Sequence, residues 1–271
     1  MVLGTFGFVG LDSILKILAA RHDVLFLSWG RNLVQVGLLA LLIPFFGLRR
    51  MVSTRHPVIQ FWRGALLVGT TVFIVLALQR MPLAQTYAVT FCAPALAALL
   101  ALIFLGERAS PWRWACIGLG FVGVLVALQP GGPDAGLHLL FPLGMAAANA
   151  MFHVLTRAIA PDEEPIAMLF LVGVVALGLT SLALPWTWTT LTPGEWLLLV
   201  VGGVFGTLAH LLLILAFRLA PTAVVSPMIY TQIVSAAFVG WLVFGETPSP
   251  STIAGAAIVI ASGIALVRTR G

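Results

Sequence analysis

Long apolar runs separated by short polar breaks recur along the whole chain. Ten runs are legible, at about 3–20, 24–47, 58–79, 83–105, 112–129, 137–159, 166–186, 194–217, 222–244 and 251–268. A helix needs roughly 20 apolar residues to cross the hydrocarbon of a bilayer, and most of these runs come near that length. The breaks carry the punctuation of helix starts. Pro57, Pro82, Pro111, Pro165, Pro221 and Pro250 each stand at or just before the head of a run, where proline's missing N–H is no loss. The pattern predicts an all-α membrane protein of ten transmembrane helices.

Composition supports that reading. Of 271 residues, 61% are hydrophobic and 8% charged, and the mean hydropathy is +1.10. Soluble domains carry about 25% charged residues. So few charges cannot coat a water-soluble fold of this size, whereas lipid requires no polar coat. No stretch remains for a separate soluble domain. Cys92 and Cys116 fall inside apolar runs and read as small core residues, with no disulfide and no metal pair expected. The opening run lacks a basic leader and a small-residue cleavage site, so no signal peptide is expected.

The net charge of +5 and pI near 10.2 would suggest a nucleic-acid partner in a soluble domain. Here the basic residues sit in the short breaks, where they set membrane orientation; no nucleic acid is expected. With the N-terminus in the cytoplasm, the cytoplasmic ends hold Arg49, Arg50, Arg55, Arg63, Arg108, Arg113, Arg157, Arg218, Arg268 and Arg270. The outer ends hold Lys16, Arg21 and Arg80, and Arg31 lies within a run. This bias predicts that both termini are cytoplasmic.

The chain also repeats itself. Aligned without gaps, 77–111 meets 216–250. Pro82 meets Pro221, Gly106-Glu107 meet Gly245-Glu246, and Pro111 meets Pro250 at one constant offset. Five runs per half is an odd number, so the second copy, 133–271, must enter the membrane upside down relative to the first, 1–132. Inverted repeats of this kind build secondary carriers around a site near the bilayer midplane.

The Pro82-Leu83-Ala84 lead, the Leu105-Gly106-Glu107-Arg108 ending and the glycines from Gly118 to Gly123 resemble the EamA branch of the drug/metabolite transporter superfamily. The second copy reads Pro221-Thr222-Ala223, then Phe244-Gly245-Glu246, with Gly255 to Gly263 following. Asp12, Lys16 and Arg31-Asn32 resemble a bacterial subgroup that includes S-adenosylmethionine carriers. The resemblance implies a central cavity lined by spans 1, 3, 4, 6, 8 and 9, alternating access, and transport of small polar or amphipathic metabolites. Its place is a bacterial inner membrane. The second copy departs from the first at Pro94, whose equivalent is Ile233.

Asp12 and Lys16 stand four apart and share one face of the first span. Two roles fit: a charged substrate meets this face, or the pair locks the span to a neighbour while Lys16 reaches outward. Arg31 either clamps an anion or neutralises Asp12, and the structural role is favoured. Tyr87 and Thr90 share a face of span 4, and Ser226 and Tyr230 share a face of the related span 9. The only two tyrosines of the chain thus fall on repeat-related spans, as a site between halves requires; interhelical bonding explains them equally. Asn149 and His153 on span 6 and His210 on span 8 complete the candidate substrate site. A histidine carrying a coupling proton remains open beside a satisfied core role. Pro82, Pro221, Gly106, Glu107, Gly245 and Glu246 read as structural caps. Gly118, Gly120, Gly123, Gly255 and Gly263 read as close packing. No cofactor pattern and no metal spacing are present.

The expectation is a secondary transporter of a small polar or charged metabolite, amino-acid-like or adenosylated, working in the lipid bilayer. A broad exporter of drug-like amphiphiles is the alternative. A membrane transferase or a channel fits less well, because the acidic residues are scattered. Oligomeric state and transport direction stay open.

Overall fold

The computed structural model describes residues 2–93, 96, 100, 111–129, 136–159, 162–219 and 231–268. At residues 2, 113, 157, 213–219 and 266–268 it describes the backbone alone. The described residues are helical, with no strand among them. The longer helices are α1 (Val2–Leu18), α2 (Val24–Ala40), α3 (Pro57–Leu78), α4 (Leu83–Thr90), α5 (Pro111–Leu128), α6 (Leu140–Ile159), α7 (Pro165–Ser181), α8 (Pro193–Leu219), α9 (Thr231–Phe244) and α10 (Pro250–Arg268). Among the described residues, Pro57–Leu78, Leu137–Thr156 and Pro193–Leu212 are long and apolar enough to cross a membrane by themselves. The others are shorter apolar helices or end at undescribed residues.

Two runs end earlier than their apolar content predicts. The run 24–47 stops being one helix at Ala40, and Ile43–Phe46 forms a separate turn of helix. Pro44 lies in that turn and has no N–H to continue the ladder. Gly47 then takes φ +79°, a left-handed conformation that glycine tolerates. The run 166–186 behaves the same way: α7 stops at Ser181, and Pro185 falls in the short turn Leu184–Thr187.

Packing pairs α5 with α10, α3 with α6 and α1 with α8 most closely. α2 lies against α7 and α8, and α4 against α6 and α9. The α5–α10 pair is the tightest: a Cβ on Gly255 would stand 2.6 Å from the Ala127 backbone nitrogen and 2.6 Å from the Gly123 carbonyl oxygen. Small residues let membrane helices approach this closely. Gly118, read from sequence as another packing glycine, has nothing within 4 Å of its would-be Cβ; it faces outward on α5. One core gathers Leu15, Phe26, Leu27, Leu78, Leu83 and Leu199. Large apolar side chains such as Trp62, Leu125 and Trp241 point outward, a surface that suits lipid and not water.

Candidate functional site

Asp12 lies midway along α1, three turns from its start. Its Oδ2 accepts the hydroxyl proton of Tyr87 on α4. The Gln232 side chain on α9 hydrogen-bonds the same Tyr87 hydroxyl. Three helices therefore meet through one chain of polar atoms, in an interior where an unpaired carboxylate would be expensive. Arg31 on α2 supplies the opposite charge and interacts electrostatically with Asp12. Its Nη1 donates to Thr71 Oγ1 on α3 at 2.6 Å, and the Arg31 Nε has no partner among the described residues.

The histidines join this cluster. His210 Nδ1 lies 2.9 Å from the Gly206 carbonyl oxygen. A carbonyl accepts only, so Nδ1 carries the hydrogen and Nε2 is left as the acceptor of the neutral ring. Phe8 packs edge-on against this ring at 4.8 Å. His210 interacts electrostatically with Arg31 and with His153, and His153 with Arg63. The His153 side chain is exposed. Asn149, one turn before it, is half-buried.

Lys16 is not part of this cluster. Its ammonium pairs with Glu246, reaches the Met81 carbonyl at 3.2 Å and lies 4.8 Å from the centre of the Phe244 ring. Glu246 follows Gly245, whose φ of +67° ends α9; the Gly245 N–H returns to Trp241 O at 3.1 Å, closing the helix in a left-handed cap. The second Glu246 oxygen accepts the Leu83 N–H at 2.8 Å. Leu83 follows Pro82 and opens α4, so the carboxylate satisfies a free N–H at a helix start. Thr90 turns back to its own helix, donating to Thr86 O at 2.7 Å. Gly106, Glu107, Pro221, Ser226 and Tyr230 lie outside the described residues.

Thr71 and Arg63 are polar members of the interior that the sequence reading did not place there, whereas Gln232 was among the polar residues it offered on span 9. Arg63 had been assigned to membrane orientation. It stands nearly two turns inside α3 and is 4% exposed. Its spacing of three from Gln60, within an apolar run, was the available signal. Outside the bundle, the breaks after α2 and α6 enclose a cavity of about 510 Å³ with Arg49, Arg50, Arg55, Asp162, Glu163 and Glu164 in its wall. Arg50 pairs with Glu164 there at 2.9 Å.

An apolar-faced helical bundle that keeps Arg31 and Arg63 in its interior has the make-up of a membrane protein. The profile of the EamA-like transporter family matches residues 1–129 and again residues 137–269, and the chain belongs to that family. It is thus a multi-pass membrane protein and a secondary transporter. It is similar to an S-adenosylmethionine uptake transporter of Rickettsia bellii, 28% identical over 83% of this chain and 78% of that protein. A riboflavin transporter of Brucella anthropi is 29% identical over 81% of this chain and 79% of its own. A pseudopaline exporter, CntI, of Pseudomonas aeruginosa is 26% identical over 99% and 95%. A solved crystal structure superposes with a TM-score of 0.61 at 17% identity, covering 98% of this chain and 95% of that one, a likeness of fold alone.

Proposed function

We propose that the chain moves a zwitterionic metabolite, amino-acid-like or adenosylated, by alternating access between two inverted five-helix halves, 1–132 and 133–271. Both termini face the cytoplasm of a bacterial cell, and the protein sits in its inner membrane. The observation that carries this reading is the Asp12–Tyr87–Gln232 chain, which joins α1 and α4 of the first half to α9 of the second. Helix pairing supports the symmetry: raising each number by five, cyclically, turns the pair α3–α6 into α8–α1 and the pair α4–α6 into α9–α1, all of which are in contact. Asp12, Tyr87, Asn149, His153 and His210 face the cargo, while Thr90 sits behind them. Lys16 acts with Glu246 as an end lock, and Arg31 balances Asp12. Relatives with names that specify S-adenosylmethionine uptake support an adenosylated amino acid as first cargo to test.

The test is counterflow in proteoliposomes loaded with unlabelled S-adenosylmethionine or methionine, with the labelled compound outside. Saturable accumulation that Asp12→Asn abolishes is expected. Wild-type vesicles that accumulate neither compound overturn the reading. Imposing a pH gradient across the same vesicles tests Asp12, His153 and His210 as carriers of a coupling proton.

A further inference from the structure

Arg63 carries a buried charge whose bonded partners are all neutral. Its Nε donates to Thr156 Oγ1 on α6 at 2.9 Å, its Nη1 donates to Gln60 Oε1, and its guanidinium lies 5.1 Å from the centre of the Phe152 ring. Among the described residues no carboxylate pairs with it. Glu163 acts on it from the α6–α7 connection, but that carboxylate is held by Thr54 Oγ1 and the Arg55 N–H, both at 2.7 Å. Burying a guanidinium without a contact anion is unfavourable, and such residues in membrane helices mark substrate paths.

Gln60 gives a second, independent sign. Its Oε1 accepts from Arg63, which fixes the amide: a flipped amide would set N–H₂ against the guanidinium. The Nε2 is then a buried donor, and it has no partner among the described residues. Gln60 is 2% exposed. Buried donors in native proteins are normally satisfied. Guanidinium and amide N–H groups side by side offer donors only, and a carboxylate offers acceptors only, with a fork that suits arginine. His153 of α6, an exposed side chain, feels the charge of Arg63.

We propose that Arg63 and Gln60 of α3, beside His153 of α6, form the anion subsite that takes the carboxylate of the cargo. Asp12, on the far side of the Arg31–His210–His153 series, then faces the cationic end. This assignment rests on the reading of the chain as a carrier of zwitterions, and it names the group that each end of the site reads.

The test compares two probes in counterflow: S-adenosylmethionine and its decarboxylated form, which lacks only the carboxylate. Wild type is expected to favour the carboxylated probe by about tenfold or more, the worth of one charge-assisted hydrogen bond. Arg63→Gln brings the ratio near one by losing the carboxylated flux, Arg63→Lys gives an intermediate ratio, and Gln60→Leu lowers it severalfold. A ratio taken in the same vesicles cancels the amount of folded carrier. Should Arg63→Gln fail to insert, Arg63→Lys and Gln60→Leu decide. Variants that keep the wild-type ratio, or lose both fluxes equally, overturn the subsite. So does a wild type that moves both probes equally well, which leaves the carrier reading intact. A wild type that moves neither probe overturns the subsite, and the carrier reading falls with it only where methionine is not accumulated either.

Discussion

The Lys16 ammonium and the Glu246 carboxylate lie 230 positions apart and form an ion pair that also holds the first N–H of α4. The side chains are 15% and 21% exposed, so water screens the pair only in part. Lys16→Met leaves Glu246 with the Leu83 N–H, whereas Glu246→Leu strips both contacts. The expected order of thermal stability in detergent is wild type, then Lys16→Met, then Glu246→Leu. The carboxylate variant loses about 1.5–3 kcal/mol, the range for hydrogen bonds to charged groups. Equal melting temperatures for the two variants would show that the helix-start contact contributes nothing.

Asp12 and Arg31 balance one another in the interior. Asp12→Asn keeps an acceptor for Tyr87 but leaves Arg31 without its counter-charge. Membrane abundance is expected to fall, and transport per molecule to fall by roughly tenfold to a hundredfold. The double variant Asp12→Asn/Arg31→Gln removes both charges, so abundance recovers while transport does not. Immunoblots of the membrane fraction beside counterflow rates measure the two effects; recovery of transport in the double variant would place Asp12 outside the cargo path.

The glycines of α5 and α10 divide by geometry. Gly255→Val drives a side chain into the Ala127 and Gly123 backbones, which cannot swing aside as a side chain can. A loss of about 1–3 kcal/mol is expected from overpacking. Gly118→Ala meets nothing within 4 Å and gains helix propensity, up to about 1 kcal/mol. Melting curves of the two variants should move in opposite directions. A stable Gly255→Val protein would contradict the α5–α10 contact.

Most helix positions were legible because apolar length and proline placement are local properties. The runs 58–79, 112–129 and 194–217 correspond to α3, α5 and α8 within a few residues. Pro44 and Pro185 marked the early ends of α2 and α7, but hydropathy averages over single residues and hid them. The shared face of Asp12 and Lys16 was also readable from spacing. Their separate partners were not, because Tyr87 and Glu246 are 75 and 230 positions away, and pairing over such distances is set by packing. Arg63 was misplaced for a different reason: an arginine six residues after Pro57 reads as an interfacial charge until the burial of its guanidinium is known.

The loop lock outside the bundle makes a pH prediction. Burial raises the Glu163 carboxyl, but hydrogen bonds from Thr54 and the Arg55 and His56 N–H groups, with the nearby His56 charge, outweigh it. The net effect holds the group below the ordinary glutamate value of 4.5. A carboxyl depressed on folding contributes stability that is complete above its unfolded value and is lost as pH falls through the folded one. Hydrogen exchange of the Arg55 amide, corrected for intrinsic rates, should therefore show steady protection from pH 7 to 5. Protection should decline only below pH 4.5. Glu163→Gln removes the charge at every pH, so it should exchange faster at pH 7 and show a flat profile. Wild-type protection that is already lost between pH 7 and 5 would mean that another group controls the lock.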